Sequence, residues 1–134
     1  MSASAIARTV LAAASSVTDV VPEARIFIGT VPQESALPAI GIRQISGTER
    51  TTVTMAEPGR FRTNRVQVTA YAASYEAKDE LLELVRAALS PYRGTVASTW
   101  AVDSITPDGE GPDFDDEAAR IFERSRDFLV SWIG

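Results

Sequence analysis

Polar and apolar residues alternate from Arg65 to Ala72, which is the period of two expected for a strand with one buried face. After this run the period changes to that of a helix, with apolar residues three and four positions apart: Ala77, Leu81, Leu84, Val85 and Ala88. Ser74 stands at the N-cap position, where a hydroxyl accepts a hydrogen bond from the first helical turn. The pattern therefore predicts a strand that leads directly into a helix over residues 75–89.

Weaker versions of the same two periods recur elsewhere in the chain. They predict a helix from Ala3 to Val17, with Ile6, Val10, Ala13, Ala14 and Val17 on its apolar face, and further strands at residues 25–28, 39–45, 95–106 and 120–133. Residues 47–59 and 107–117 are polar and rich in turn formers, and are predicted to be long loops. The predicted fold class is α+β: a mostly antiparallel sheet of about five strands with two helices packed on one face, in the order α-β-β-β-α-β-β. No linker or repeat divides residues 1–134, so a single domain is predicted.

The composition narrows the possible chemistry. The chain has no Cys and no His, so thiol nucleophiles, Ser-His-Asp triads and the commonest transition-metal ligands are excluded. Asp115 and Asp116 are sequence neighbours, which does not make them converge on a substrate. The isolated Gly29 and Gly41 form no phosphate-binding motif. Only an unusual enzyme using carboxylates, Tyr, Arg or Lys78 would remain, so we expect no catalytic activity and no cofactor.

The charge balance bears on possible partners. A net charge of −5 and a pI near 4.7 disfavour binding to nucleic acid through a general basic surface. No apolar run approaches the length of a transmembrane helix, so no membrane partner is expected. All basic residues except Lys78 are Arg. Paired contacts at an interface or the codon usage of a GC-rich genome would both account for this preference.

Two segments of opposite charge are candidates for an interface. A basic arm, residues 43–65, has five Arg against two acids, whereas residues 103–117 carry seven acids and no base. The acidic segment does not have the spacing of an EF-hand calcium loop, so a solvated or partner-facing loop is favoured over a metal site. Two complementary patches on one chain make a heterologous contact between copies, which closes into a ring or continues as a filament. The predicted interface residues are Arg43, Arg50, Arg60, Arg62, Arg65, Asp108, Glu110, Asp113, Asp115 and Asp116.

Two blocks of the sequence resemble a known family. Residues 25–40, RIFIGTVPQESALPAI, resemble the early strand and "VPQ…P" loop of the tail terminators of long-tailed phages and related gene transfer agents. The block from Arg65 to Tyr71, followed by Tyr75–Ala77 and Leu84–Leu89, is similar to the central strand and helix of the same family. The resemblance spans about residues 6–132. The chain departs from the pattern at Ala39, where an aromatic residue often follows the proline, and in its more acidic loop before the last strand.

The resemblance implies a structural protein of the virion, at the junction of tail and head, assembled in the host cytoplasm. It implies a homo-oligomeric ring, a hexamer, that caps the tail tube protein and presents its other face to a head-neck or stopper protein. DNA is expected to pass through the lumen without specific binding, which agrees with the acidic net charge. The alternatives are a head-completion or stopper protein and, from fold type alone, a small ligand-binding regulatory domain.

Overall fold

The structure, a computed structural model, describes residues 3–32, 34–50, 61–96, 100–116 and 118–133. Within these ranges lie three α-helices and seven strands. The helices are α1 (Ala3–Ala13), α2 (Ser15–Thr18) and α3 (Tyr75–Leu89). The strands are β1 (Ile26–Ile28), β2 (Ala39–Arg50), β3 (Phe61–Ala72), β4 (Tyr92–Val96), β5 (Trp100–Glu110), β6 (Phe114–Asp116) and β7 (Ile121–Ile133).

All seven strands belong to one sheet, in the order β1-β2-β3-β7-β5-β4. The short strand β6 pairs with the first residues of β7, whereas β5 pairs with the rest of that strand. Only β1 runs parallel to its neighbour β2. Register shifts in the β2–β3, β4–β5 and β5–β7 pairs bend the ladder, because each shift puts an extra residue on one strand.

The core lies between one face of the sheet and the helices α1 and α3. Alternate residues of β3, beginning with Val66 and Val68, are buried on this face, and Phe128 and Val130 of β7 continue it. The opposite face is partly exposed. Arg8 attaches α1 to the sheet edge, because its guanidinium donates to the carbonyl oxygens of Ile26 at 2.9 Å and Glu23 at 3.1 Å.

The helix predicted after Ser74 is confirmed, and the Ser74 hydroxyl accepts a hydrogen bond from the Ala77 backbone N–H at 3.2 Å. Its buried face is rotated from the predicted one. Ala77 is exposed, whereas the side chain of Lys78 is buried. The prediction failed here because a lysine with nearby carboxylate partners can occupy a position that the apolar pattern alone assigns to the surface.

The α+β class is confirmed, but the predicted five strands and their order are wrong. Residues 95–106 were predicted as one strand, yet the chain forms two antiparallel strands there, β4 and β5. Part of the predicted loop 107–117 also belongs to strands, because β5 continues to Glu110 and β6 pairs with β7. Backbone pairing to a long neighbouring strand satisfies N–H and C=O groups even where the side chains are acidic or the residues are Gly and Pro.

Two further boundaries differ from the predictions. Strand β2 does not end at Ile45 but pairs with β3 as far as Arg50, so only residues 51–60 of the predicted arm remain, and these lie outside the described residues. The N-terminal helix breaks at Ala14, whose backbone is extended (φ −86°, ψ 110°). The change of axis there leaves Ala13 exposed, although it was predicted on the apolar face.

Candidate interaction surface

The side chain of Lys78 connects α3 to the segment between β5 and β6. It is fully buried (0% exposed), and its Nζ contacts Asp113 Oδ1 and lies 3.4 Å from Asp79 Oδ1. The ammonium group also lies 3.7 Å from the ring centre of Tyr75, a cation–π contact. The Tyr75 hydroxyl donates to Asp113 Oδ2 at 2.9 Å. Two residues one turn apart on α3 therefore hold the same carboxylate.

The pKa shifts in this cluster stabilise the ion pair. The hydrogen bond from Lys78, followed by that from Tyr75, holds the pKa of Asp113 below its ordinary value. Burial is the largest single effect on Lys78 and lowers its pKa, but Asp113 and Asp79 together outweigh it, so the pKa of Lys78 is raised. The pKa of Tyr75 is raised because its hydroxyl donates to Asp113. At neutral pH the cluster is an ammonium–carboxylate pair with a neutral phenol donor.

A second group of ion pairs surrounds Glu110 at the end of β5. Glu110 lies opposite Arg126 across the β5–β7 ladder, and its carboxylate contacts both Arg126 and the Arg124 guanidinium, the latter at 2.5 Å. Arg124 also donates to the Gly111 carbonyl oxygen at 3.1 Å. Arg126 lies 3.8 Å from Glu83 of α3. Together with Lys78, these contacts join residues 110–113 to both α3 and β7.

Arg65 of β3 forms a third cluster, on the sheet face away from the helices. Its Nε lies 3.1 Å from Asp108 Oδ2 and 3.0 Å from Asp127 Oδ2. Its Nη2 donates to the Asp108 carbonyl oxygen at 3.3 Å. The structure thus brings a basic and an acidic member of the predicted interface set together within one chain.

Among the other predicted basic residues, Arg43 and Arg62 have described side chains, and neither forms an ion pair with the acidic segment of its own chain. Arg43 is exposed on β2. The Arg62 guanidinium carbon lies 5.1 Å from the ring centre of Trp132, and its Nε is buried without a hydrogen-bond partner. Arg50 ends β2, but its side chain is outside the described set, as is the whole of Arg60.

Strand β6 carries the remaining predicted acids at the surface. Asp115 and Asp116 are exposed, and Asp116 Oδ1 accepts a hydrogen bond from the Ala119 backbone N–H at 3.1 Å. Among the described residues, no group of three carboxylates is arranged to hold a metal ion.

Sequence reasoning missed Lys78, Arg124 and Arg126 as the residues that fix the acidic segment. A signal for two of them was present, because Arg124 and Arg126 lie between Phe122 and Phe128 on the apolar face of the last strand. An arginine in such a position needs a carboxylate nearby, and the acidic segment was the available source.

An open groove of about 540 Å³ lies on the sheet face opposite the helices. The loop after β1 forms one wall with Val31, Pro32 and Leu37, and β6 forms the other with Phe114, which is 57% exposed. Tyr71 and Glu123, paired across β3 and β7, form its floor. Burial raises the pKa of Glu123. A Cβ atom at Gly41 would lie 3.0 Å from Val31 Cγ2, so the glycine lets this wall pack closely on β2.

Comparison with protein families identifies the chain. The family described as tail completion protein gp17 matches residues 7–128. The chain belongs to this family. It is therefore a structural tail-completion protein of a phage-like particle, a component of the virion, and the family resemblance stated from the sequence is confirmed.

Solved structures agree on the fold of this tail-completion protein. A chain from "Virion of native gene transfer agent (GTA) particle" superposes with a TM-score of 0.76 over 98% of this chain and 95% of the other, at 12% sequence identity. No curated protein sequence matches. None of the described helices is long and apolar enough to cross a membrane.

The family assignment changes how the charged clusters are interpreted. Tail-completion proteins are structural components that assemble with other tail and head proteins, so a contact surface is the kind of site to expect. The "VPQ…P" loop that carries part of the family resemblance is also one wall of the groove. The surface that remains for contacts therefore includes the groove, the exposed acids of β6 and the arginines without a carboxylate partner.

Proposed function

We propose that this tail-completion protein acts as a tail terminator: a ring, expected to be a hexamer, that caps the tail tube and joins it to the head or neck. The assignment to the tail-completion family is the observation that carries this proposal. In this arrangement DNA passes through the lumen, and the net charge of −5 prevents the ring from retaining a polyanion. The protein acts by shape and contact, and no bond is made or broken.

The contact between copies uses those members of the predicted interface set that take no part in the internal ion pairs described above. Arg65, Asp108, Glu110 and Asp113 are engaged in internal ion pairs, so replacing them would disturb the fold as well as any interface. The remaining members of the interface set are divided between a basic group and an acidic group: Arg43, Arg50, Arg60 and Arg62 against Asp115 and Asp116.

Most of these two groups lie at opposite ends of the sheet. Arg62 pairs with Trp132 near the end of β7, whereas β6 pairs with the first three residues of β7. A strand of this length extends about 3.3 Å per residue, so about 33 Å separates the two ends. Unlike patches at opposite ends of the sheet suit a heterologous contact, in which the acidic end of one copy meets the basic end of the next and the row closes into a ring.

The test is assembly measured by sedimentation and native mass, with and without the tail tube protein. A variant carrying Asp115→Lys and Asp116→Lys should assemble poorly, and adding Arg62→Glu to it should partly restore assembly. Asp19→Lys, an exposed acid at the end of α2, is the matched control and should assemble normally. Asp19, Asp115 and Asp116 are exposed, and exposed ion pairs contribute about 0–1 kcal/mol each, so the variants at these positions should remain folded. Arg62 is partly buried against Trp132, so circular dichroism checks the fold of the triple variant separately.

Two results would contradict different parts of the proposal. A wild-type chain that stays monomeric at high concentration, also in the presence of tube protein, would refute the ring. A triple variant that assembles no better than the Asp115→Lys/Asp116→Lys protein would refute the charge pairing while leaving the ring intact.

A further inference from the structure

The groove beside β6 exposes apolar side chains on both of its walls, as an interface does when its partner is absent. The side chain of Phe114 is more than half exposed on one wall, although aromatic side chains are among those that bury most area at interfaces. Val31 and Leu37 face it from the other wall, so an apolar occupant would be enclosed on both sides. Asp115 and Asp116 follow Phe114 at the rim of the same groove, so the rim favours an occupant that carries positive charge.

The chain itself contains a segment with this chemistry. Residues 51–60, between the paired ends of β2 and β3, include Val53 and Met55. Arg50 and Arg60 flank them, with Glu57 as the one acid within the segment. Methionine and valine side chains suit an apolar groove of irregular shape, and the arginines suit its acidic rim.

This segment cannot fill the groove of its own chain. Arg50 and Phe61 are cross-strand partners, so both ends of the segment are fixed at one end of the β2–β3 ladder. Tyr71 in the groove floor is ten residues along β3 from Phe61, or about 33 Å. Ten residues fixed at both ends reach at most about 20 Å from their attachment points. The segment therefore does not reach the groove of its own chain, and only another copy can supply it.

We infer that the groove between the loop after β1 and strand β6 receives residues 51–60 of a neighbouring copy. The inference rests on the proposed ring and specifies its contact. Val53 and Met55 pack against Phe114 and Leu37, and Arg60 meets the acidic rim. Since each copy gives its segment at one end of the sheet and receives another at the opposite end, successive copies follow one another and close into a ring.

Disulfide trapping tests this directly, because the chain contains no cysteine of its own. Met55→Cys combined with Ala119→Cys, an exposed groove residue, should give a ladder of covalent multimers on oxidation that ends at the ring size. Met55→Cys combined with Ser16→Cys is the matched control, because Ser16 is exposed on α2, away from the groove residues. That control should give no ladder.

A second variant tests the groove without a crosslink. Phe114→Ser should raise the concentration needed for half-maximal assembly about tenfold, because an aromatic side chain would lose its buried contact. Ile28→Ser, 51% exposed on β1, is the matched control and should have little effect. Circular dichroism should show both variants folded, since each replaced side chain is largely exposed.

The outcomes separate the inference from the proposed function. If native mass shows a ring but Met55→Cys/Ala119→Cys gives no ladder, the inference is overturned and the ring stands. If the wild-type chain does not assemble with or without tube protein, the ring is refuted and the inference falls with it. A ladder from the Ser16→Cys control equal to that from Ala119→Cys would also overturn the inference.

Discussion

Replacement of Lys78, the only lysine of the chain, tests whether this side chain stabilises the fold by its charge or by its packing. The side chain is fully buried, but its two carboxylate partners are not: Asp113 is 38% exposed and Asp79 is 44% exposed. Water reaches the Asp113 carboxylate, so the attraction between Lys78 and this closer partner is screened, whereas Asp79 Oδ1 is itself buried and lies farther away at 3.4 Å. The methylene stem, in contrast, lies entirely within the protein. We therefore expect packing to dominate.

The magnitudes follow from this difference. Lys78→Ala removes three buried methylene groups, worth about 0.8 kcal/mol each, so the loss of packing is about 2.4 kcal/mol before any cavity cost. Loss of the screened charge adds about 1 kcal/mol. Lys78→Met keeps an unbranched apolar stem of similar length and should lose only about 1 kcal/mol. Lys78→Ala should therefore be less stable than Lys78→Met by at least about 2 kcal/mol.

Urea unfolding followed by circular dichroism measures these differences as shifts of the midpoint at constant m-value. The pH dependence is a second readout. Because the pKa of Asp113 is lowered in the folded chain, its stabilising contribution is present above its unfolded pKa and is lost as the pH falls through the folded pKa. Lys78→Met lacks the largest part of this contribution and keeps the hydrogen bond from Tyr75, so its deficit relative to wild type should shrink in acid. Equal destabilisation by Met and Ala would refute the reasoning, because it would mean that the charge stabilises the protein more than the buried stem does.

Two further predictions concern the helix α3 and the groove floor. Ser74→Ala should lower the unfolding free energy by about 1 kcal/mol through loss of the N-cap, as thermal unfolding would show, and Ser74→Asp should retain the wild-type Tm; equal losses in both would contradict the cap. Glu123→Gln should raise the Tm at pH 7. The pKa of Glu123 is raised above its ordinary 4.5, so wild-type stability is lost as the pH rises through the folded pKa, and the two proteins should converge below pH 4. A Tm difference that is independent of pH would contradict this assignment.

The sequence predicts best those parts of the fold that local signals determine. The helix α3 was predicted with its boundaries because a capping serine, a helical apolar period and Pro91 all lie within about twenty residues. The last strand was predicted within one residue for the same reason, since its alternation is long and regular. Where propensity, pattern and terminating residues agree, tertiary context has little to change.

The parts that failed are those where pairing across the sheet decides the structure. Strand β6 consists of Phe114 and two aspartates in an acidic stretch rich in Gly and Pro, so its own residues favour a loop. It forms a strand because β7 extends beyond β5 and offers unpaired backbone groups there. The internal partners of Arg65 and Asp113 could likewise not be predicted from the sequence. Each ion pair joins residues 35 or more positions apart, so it depends on how the sheet brings distant segments together.

The choice of lysine at position 78 bears on the excess of arginine elsewhere in the chain. A guanidinium has five N–H donors in a fixed plane, whereas an ammonium has three that rotate, so a buried arginine needs more acceptors in a fixed arrangement. Position 78 offers two carboxylates and an aromatic face, which suits the smaller group. Lys78→Arg should therefore be less stable than Lys78→Met, despite keeping the charge. Arginine, in turn, occupies positions such as 65 and 124, where two acceptors lie close together at a partly exposed site and a forked donor reaches both.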